Sequence, residues 1–129
     1  MTNLQLRAGD GHTFKAYVAR PEGFPKGAVV VVQEIFGVTG HIERVAEQCA
    51  AQGYLAIAPA LFDRQQRGVN LPYDADGAAK GFALALKADP AGLAADLAAS
   101  IDTAAHAGAV GMVGYGWGGT VTYLSLIHI

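Results

Sequence analysis

The segment that most constrains the fold of this chain is residues 110–119, which read VGMVGYGWGG. It begins with apolar residues that suit a buried strand, and four glycines follow among residues 114–119. Glycine allows backbone conformations that other residues avoid and lets two backbones approach closely. The segment therefore predicts a buried strand that turns sharply into a helix, which is typical of domains with helices packed on a sheet.

Strand and helix patterns alternate along the rest of the chain. Residues 13–20 and 54–58 are rich in strand formers, residues 28–32 form a continuous apolar run, and residues 3–8 fit an edge strand. A continuous apolar run suits a parallel strand that is covered on both faces. Because strands alternate with helices, we expect an α/β domain with βαβ units and a mostly parallel sheet.

Caps and apolar spacing predict three helices between these strands, besides the one that starts near residue 118. Thr39 can cap a helix that ends at Gly53, and Asp89 followed by Pro90 is a strong helix start. The apolar positions are Ile42, Val45, Ala46, Cys49 and Ala50 in the first helix, Ala78, Phe82 and Leu86 in the second, and Leu93, Leu97, Ile101 and Ala104 in the third.

The composition excludes several classes of protein. The length of 129 residues fits one domain, residues 1–129, without a linker or an internal repeat. A net charge of -2 and the lack of a basic cluster argue against a nucleic-acid or membrane partner. One cysteine excludes a disulfide within the chain, and the longest apolar run is far shorter than a membrane helix. Residues 1–5 show no signal-peptide pattern, so we expect a cytoplasmic protein.

Two positions at strand ends are candidates for chemistry. Glu34 follows the valine run, and Gly116 follows the strand predicted at 109–114. Ligand sites of parallel sheets lie at the carboxyl ends of strands, so Glu34 and Gly116 should meet at one site. The glycines around 116 match the turn where α/β-hydrolases place their nucleophile. Gly116 has no side chain, but glycine adopts the positive φ of such a turn without steric cost. The alternative for Glu34 is a solvated residue at a strand end.

Three blocks of the sequence together resemble the dienelactone hydrolase family of α/β-hydrolases. They are residues 30–37 (VVVQEIFG), 53–62 (GYLAIAPALF) and 111–119 (GMVGYGWGG). The blocks occur in the order and at the spacing of the family, and the similarity extends from about residue 5 to residue 123. The resemblance implies an α/β-hydrolase-type three-layer sandwich from which the C-terminal strands are missing.

The resemblance also implies a chemistry. Members of the family are cysteine hydrolases with a Cys-His-Asp triad that open enol-lactones. The nucleophile falls at position 116, Glu34 contacts the thiol in the resting state, and the backbone N–H groups of Ile35 and Trp117 form the oxyanion hole. The implied partner is a small ester or lactone, and we expect neither a cofactor nor a metal.

This chain departs from the family at three points. Gly116 replaces the cysteine, and loss of a nucleophile costs on the order of 10⁶ in rate in a comparable triad. The triad acid and base are expected beyond residue 129. The first arginine for a substrate carboxylate is expected at residues 75–82, where Lys80 is the one cation. We therefore expect an incomplete domain, inactive as written, that self-associates through an unpaired sheet edge.

Two other functions fit parts of the sequence. Gly114-x-Gly116-x-x-Gly119 also matches the fingerprint of dinucleotide-binding domains, but the acidic residue expected about 20 positions later is missing. The second is a non-catalytic protein that binds a ligand in a pocket lined by Glu34 and Trp117.

The other polar residues have structural interpretations. We expect Cys49 to be buried, His12, His41 and His106 to lie in a turn, a first helical turn and a helix end, and Asp96 and Asp102 to face solvent. The histidines lack the shared spacing of a metal site. Residues 124–129 resemble an artificial tail, so the pair Ser125 and His128 is not expected to be catalytic.

Overall fold

The structure is a computed structural model that describes the backbone of residues 2–128 and the side chains of residues 2–125. Within that range, five strands and four α-helices largely alternate. The strands are β1 (Thr2–Arg7), β2 (Thr13–Ala19), β3 (Ala28–Val32), β4 (Leu55–Pro59) and β5 (Val110–Gly114). The helices are α1 (Gly40–Ala51), α2 (Ala75–Lys87), α3 (Pro90–Ala104) and α4 (Trp117–His128), with a 3₁₀ turn at Ala105–Ala107.

The five strands form one mixed sheet in the order β1-β2-β4-β3-β5. β2 is antiparallel to both of its neighbours, whereas β4, β3 and β5 are parallel, so four of the five strands run in one direction. β3 lies between β4 and β5, and it pairs with β5 from Ala28 opposite Val110 to Val32 opposite Gly114. The carboxyl ends of these two strands therefore lie side by side.

Helices cover both faces of the sheet. α1 packs on one face, where Ile42 and Ala46 join the buried residues of β2, β3 and β4. On the other face, Leu97 of α3 and Val121 of α4 pack with Val30 of β3. This arrangement confirms the predicted three-layer α/β sandwich. Within the part of the chain that the structure describes, no helix combines the length and the apolar character needed to cross a bilayer.

The predicted helix starts at Thr39 and Asp89 are confirmed by their caps. The hydroxyl of Thr39 accepts a hydrogen bond from the N–H of Ile42 at 3.5 Å, and the carboxylate of Asp89 accepts one from Gly92 at 3.2 Å. Such acceptors satisfy N–H groups that the first turn of a helix leaves free. Beyond α1, Gly53 has a φ of 99°, as expected for the residue that ends a helix.

The apolar stripe of α2 faces outward. Phe82 and Leu86 are 58% and 71% exposed, although they have the spacing of a buried face. The buried residues of α2 are Gly77 and Gly81. A Cβ atom at Gly81 would lie 2.2 Å from the backbone oxygen of Ile35, so α2 crosses the loop after β3 at very short range.

The prediction that Asp96 faces solvent is wrong. Its carboxylate is fully buried and accepts two hydrogen bonds from Arg64, at 3.0 and 2.8 Å. The same guanidinium donates to Asp10, between β1 and β2, at 2.7 and 3.0 Å. A buried carboxylate needs a partner of opposite charge, and this one comes from a distant loop that helical spacing does not reveal. Asp102 is exposed, as predicted.

Arg64 affects its two partners differently. Its hydrogen bonds lower the pKa of Asp10 from 3.8 to about 2. Burial raises the pKa of Asp96, against the opposing effect of Arg64. Because the pKa of Asp10 is lower in the folded protein, its contribution to stability is present at neutral pH and is lost as the pH falls from 3.8 towards 2.

Replacement of Arg64 by alanine tests this ion-pair cluster. The variant leaves Asp96 buried without its partner, so we expect the free energy of unfolding to fall by about 3 kcal/mol. Arg67→Ala is the matched control, because Arg67 is 60% exposed and lies 3.8 Å from Asp63. It should cost less than about 1 kcal/mol. Urea unfolding followed by circular dichroism measures both, and equal effects would contradict a structural role for Arg64.

Candidate active site

Glu34 and Gly116 lie at the same edge of the sheet. Val32 is paired with Gly114 at the carboxyl ends of β3 and β5. Glu34 lies two residues after Val32, and Gly116 lies two residues after Gly114. The strand register therefore brings the two positions to one edge, which is where parallel sheets carry their ligand sites.

Position 116 is a left-handed turn with room for a side chain. Gly116 has a φ of 56°, within the region that residues other than glycine rarely adopt. Tyr115 and Gly116 accept hydrogen bonds from Gly118 and Gly119 at 2.9 and 3.0 Å, which closes the turn. A Cβ atom built at 116 would have no atom within 4 Å. A nucleophilic side chain would therefore extend into open space.

The neighbouring glycines are needed for close packing. A Cβ at Gly118 would lie 2.2 Å from the backbone oxygen of Gln33 and 2.6 Å from that of Val32. A Cβ at Gly114 would lie 2.3 Å from the oxygen of Gly118. Real Cβ atoms do not approach backbone oxygens so closely, so α4 can begin against the end of β3 only because glycine stands at these positions.

The backbone N–H groups of Ile35 and Trp117 have no acceptor within residues 2–128. Trp117 is the first residue of α4, and the first N–H groups of a helix have no partner within the helix. They also carry the positive end of the helix dipole, which favours negative charge. The indole of Trp117 packs on Phe62 with ring centroids 5.1 Å apart. Two free donors near position 116 suit a developing oxyanion.

A buried glutamine orients the peptide that carries the Ile35 N–H. The side-chain amide of Gln33 donates to the backbone oxygen of Glu34 at 3.1 Å and accepts from the N–H of Leu61 at 2.8 Å. Gly37 donates to the same oxygen of Glu34 at 3.1 Å. This oxygen and the N–H of Ile35 belong to one planar peptide group, so both bonds fix the direction of that N–H.

Tyr73 and Thr39 complete the surroundings of Glu34, and the sequence analysis missed this contact. The Tyr73 hydroxyl donates to Oε1 of Glu34 at 2.8 Å and lies 2.7 Å from Oγ1 of Thr39. Its ring packs on Phe36 with centroids 4.4 Å apart. The pKa of Tyr73 is raised, mainly by burial. The hydrogen bond with Thr39 opposes this shift, whereas the bond with Glu34 adds to it. The sequence offered one weak signal: Tyr73 directly precedes Asp74, the cap of α2.

The other candidate residues lie away from this edge or have structural partners. Cys49 is partly buried on α1, and burial raises its pKa. Lys80 pairs with Asp76 at 3.2 Å on the surface of α2. The side chain of His128 lies outside the described residues, whereas Ser125 is buried and donates to Thr122 at 3.0 Å. Among the side chains described, no group of three His, Cys, Asp or Glu could hold a metal ion.

Comparison with known proteins shows what the chain resembles. The sequence model of the dienelactone hydrolase family matches residues 14–128. The carboxymethylenebutenolidase of Pseudomonas putida is 36% identical over 126 residues, which cover 94% of this chain and 53% of that protein. A Klebsiella pneumoniae crystal structure assigned to the dienelactone hydrolases has a TM-score of 0.78 at 33% identity and covers 100% of this chain and 56% of its own.

The fold is also shared with more distant proteins. An alpha-beta serine hydrolase homologue from Coxiella burnetii has a TM-score of 0.62 at 14% identity, over 94% of this chain and 54% of that one. The chain thus spans about half the length of the relatives that it matches. Because the family match includes the strand, the turn and the helix at 110–119, it favours a hydrolase turn over the dinucleotide fingerprint.

Gly118→Ala tests the close contact between α4 and β3. The added methyl group would overlap two backbone oxygens, so we expect the free energy of unfolding to fall by about 3 kcal/mol. Gly111→Ala is the control, since a Cβ there has no atom within 4 Å. It should change stability by less than about 1 kcal/mol. Urea unfolding of the two variants distinguishes them, and a harmless Gly118→Ala would refute the packing argument.

Proposed function

Since the chain belongs to the dienelactone hydrolase family, we propose that the edge around Glu34, Ile35, Gly116 and Trp117 is the acyl-transfer site of an ester or lactone hydrolase. The observation that carries this proposal is the open, left-handed position 116 at the same edge as two N–H groups without acceptors. This is the arrangement that a nucleophile and an oxyanion hole require.

The proposed reaction of a family member with a cysteine at 116 has two steps. The thiolate attacks the carbonyl carbon, the oxyanion accepts hydrogen bonds from Ile35 and Trp117, and the alcohol leaves with a proton to give a thioester. Water then attacks the thioester, which releases the acid and restores the thiol. In the proposal, a histidine oriented by an aspartate moves the protons, and both belong to the part of the relatives that this chain does not span.

With Gly116, we propose that this chain does not turn over substrate, because the attacking atom is missing. Its proposed partner is a small ester or lactone rather than nucleic acid or a membrane. A preference for substrates that carry a carboxylate would need a cation to bind it. Lys80 is already paired with Asp76 and gives no support to such a preference. A cytoplasmic location stays a prediction from the sequence.

Binding without hydrolysis is the second candidate function. A largely apolar groove of about 240 Å³ lies between α2, α3 and α4. Trp117, whose N–H is a proposed oxyanion donor, lines it together with Leu93, Leu97 and Val121. The groove meets the proposed site only at Trp117, since Glu34, Ile35 and Gly116 do not line it. An apolar groove at this place favours a role in which the scaffold holds a ligand that it no longer cleaves.

Release of p-nitrophenol from p-nitrophenyl acetate tests the proposed site. The chain with Gly116 should show only the background rate of the buffer. Gly116→Cys, in a Cys49→Ala background that removes the other thiol, should release up to one equivalent per chain. Gly23→Cys is the matched control, because Gly23 also has a positive φ, of 72°, and open space, but precedes β3 at the opposite edge.

The two thiol variants should differ in rate. We expect Gly116→Cys to react at least about tenfold faster than Gly23→Cys, because only the former has oxyanion donors nearby. Equal rates would overturn the proposed site, and catalytic turnover by the unaltered chain would overturn the proposed inactivity.

We also propose that the 129-residue chain associates with itself through β5. β5 is the last strand of the sheet and pairs only with β3 among the described residues. Its outer edge therefore presents free N–H and C=O groups, which favour pairing with the same edge of a second copy.

Sedimentation of a lysine variant tests this association. Gly111 lies in β5 with open space at its Cβ, and a lysine at an edge strand opposes edge-to-edge pairing. The unaltered chain should sediment as a dimer or larger species, and Gly111→Lys should shift it towards monomer. Gln66→Lys, which places the same charge on an exposed loop, should have no effect. A monomeric unaltered chain would contradict the proposal.

A further inference from the structure

The hydrogen bonds around Glu34 have only one consistent direction. An ionised carboxylate only accepts hydrogen bonds, and a tyrosine hydroxyl has one proton to donate. Since Tyr73 donates to Oε1 of Glu34 at 2.8 Å, the contact of 2.7 Å with Thr39 is a bond that Thr39 donates to Tyr73. The three residues form a directed chain, from Thr39 through Tyr73 to Glu34.

Tyr73 is itself held in place by the backbone. Gly37 pairs with Asn70, and the N–H of Leu71 donates to the oxygen of Phe36 at 2.9 Å. The Tyr73 ring also packs on Phe36. The segment before α2 and the loop after β3 are therefore joined, and the tyrosine hydroxyl is fixed relative to the main chain at Glu34.

We propose that Tyr73 is a positioning residue for Glu34, which holds Oε1 and leaves Oε2 as the oxygen available to the group at position 116. This inference rests on the proposed function, because it concerns the same site. Without Tyr73, the carboxylate would be free to rotate away from position 116.

The test measures how the carboxylate acts on a thiol at 116. The protein is the full 129-residue chain with Cys49→Ala and Gly116→Cys, and the readout is the rate of alkylation by iodoacetamide as a function of pH. Removing the charge with Glu34→Gln should lower the midpoint of this profile by about one pH unit, because a nearby like charge opposes ionisation of the thiol.

Tyr73→Phe should shift the same midpoint in the same direction but by less, downward by about half a pH unit, since a carboxylate that is no longer held at position 116 opposes ionisation of the thiol less strongly. In the Glu34→Gln background, Tyr73→Phe should produce no further shift, because the two residues act through one contact. Tyr123→Phe is the matched control: Tyr123 is 65% exposed on α4, and the change should leave the midpoint where it was.

The outcomes separate this inference from the proposed function. If Glu34→Gln does not move the midpoint, the carboxylate does not act on position 116 and this inference fails, whereas the proposed function fails only if Gly116→Cys and Gly23→Cys also react with p-nitrophenyl acetate at equal rates. If Glu34→Gln moves it but Tyr73→Phe does not, only the role of Tyr73 is overturned. An equal shift by Tyr73→Phe with and without Glu34 would mean a general structural effect, and would also overturn it.

A second measurement needs no thiol and uses the chain with Gly116. In ¹³C-tyrosine-labelled protein, the Tyr73 signal is identified by its loss in Tyr73→Phe, and its titration is followed by NMR. Because Glu34 is one cause of the raised pKa of Tyr73, Glu34→Gln should lower the titration midpoint of Tyr73. An unchanged midpoint would refute the hydrogen bond on which the inference depends.

Discussion

The candidate site depends on how closely α4 begins against the end of β3. A Cβ at Gly118 would lie 2.2 Å from the oxygen of Gln33, a distance that no side chain allows. This contact fixes the start of α4 relative to β3 and thereby the place of the Trp117 N–H. Gly114, on the other side of the turn, must also be glycine, because a Cβ there would lie 2.3 Å from the backbone oxygen of Gly118. The turn at 116 is thus held by its neighbours and not by its own residue.

The loop after β3 is held from several directions by parts of the chain that are distant in sequence. Gln33 connects it to Leu61 at the end of β4, Leu71 bonds to Phe36, and Gly81 of α2 lies against the oxygen of Ile35. This rigidity is what the proposed oxyanion hole requires, because such a site is effective only when its donors are oriented before the charge develops.

The parts of the fold that could be predicted from the sequence are those that depend on local chemistry. Thr39 and Asp89 cap helices because their side chains bond to N–H groups three residues later. The valine run of β3 and the glycine turn at 116 are equally local. Asp96 and Tyr73 are different, because their partners, Arg64 and Glu34, lie 32 and 39 residues away. Helical spacing places Asp96 on a helix but gives no information about a guanidinium that reaches it from a loop.

The proposed loss of a nucleophile at position 116 is compatible with preservation of the fold for a physical reason. The φ of 56° at position 116 lies in the left-handed region, which costs a residue with a Cβ roughly 1–2 kcal/mol. Glycine avoids that cost, and a Cβ atom at this position would have no atom within 4 Å. A cysteine there, as in the proposed reaction, would therefore contribute chemistry but little packing at its Cβ. Gly118 is the opposite case, because any side chain there would collide with the end of β3. Two glycines two residues apart thus have different physical roles, since only one of them stands where the scaffold leaves space for a side chain.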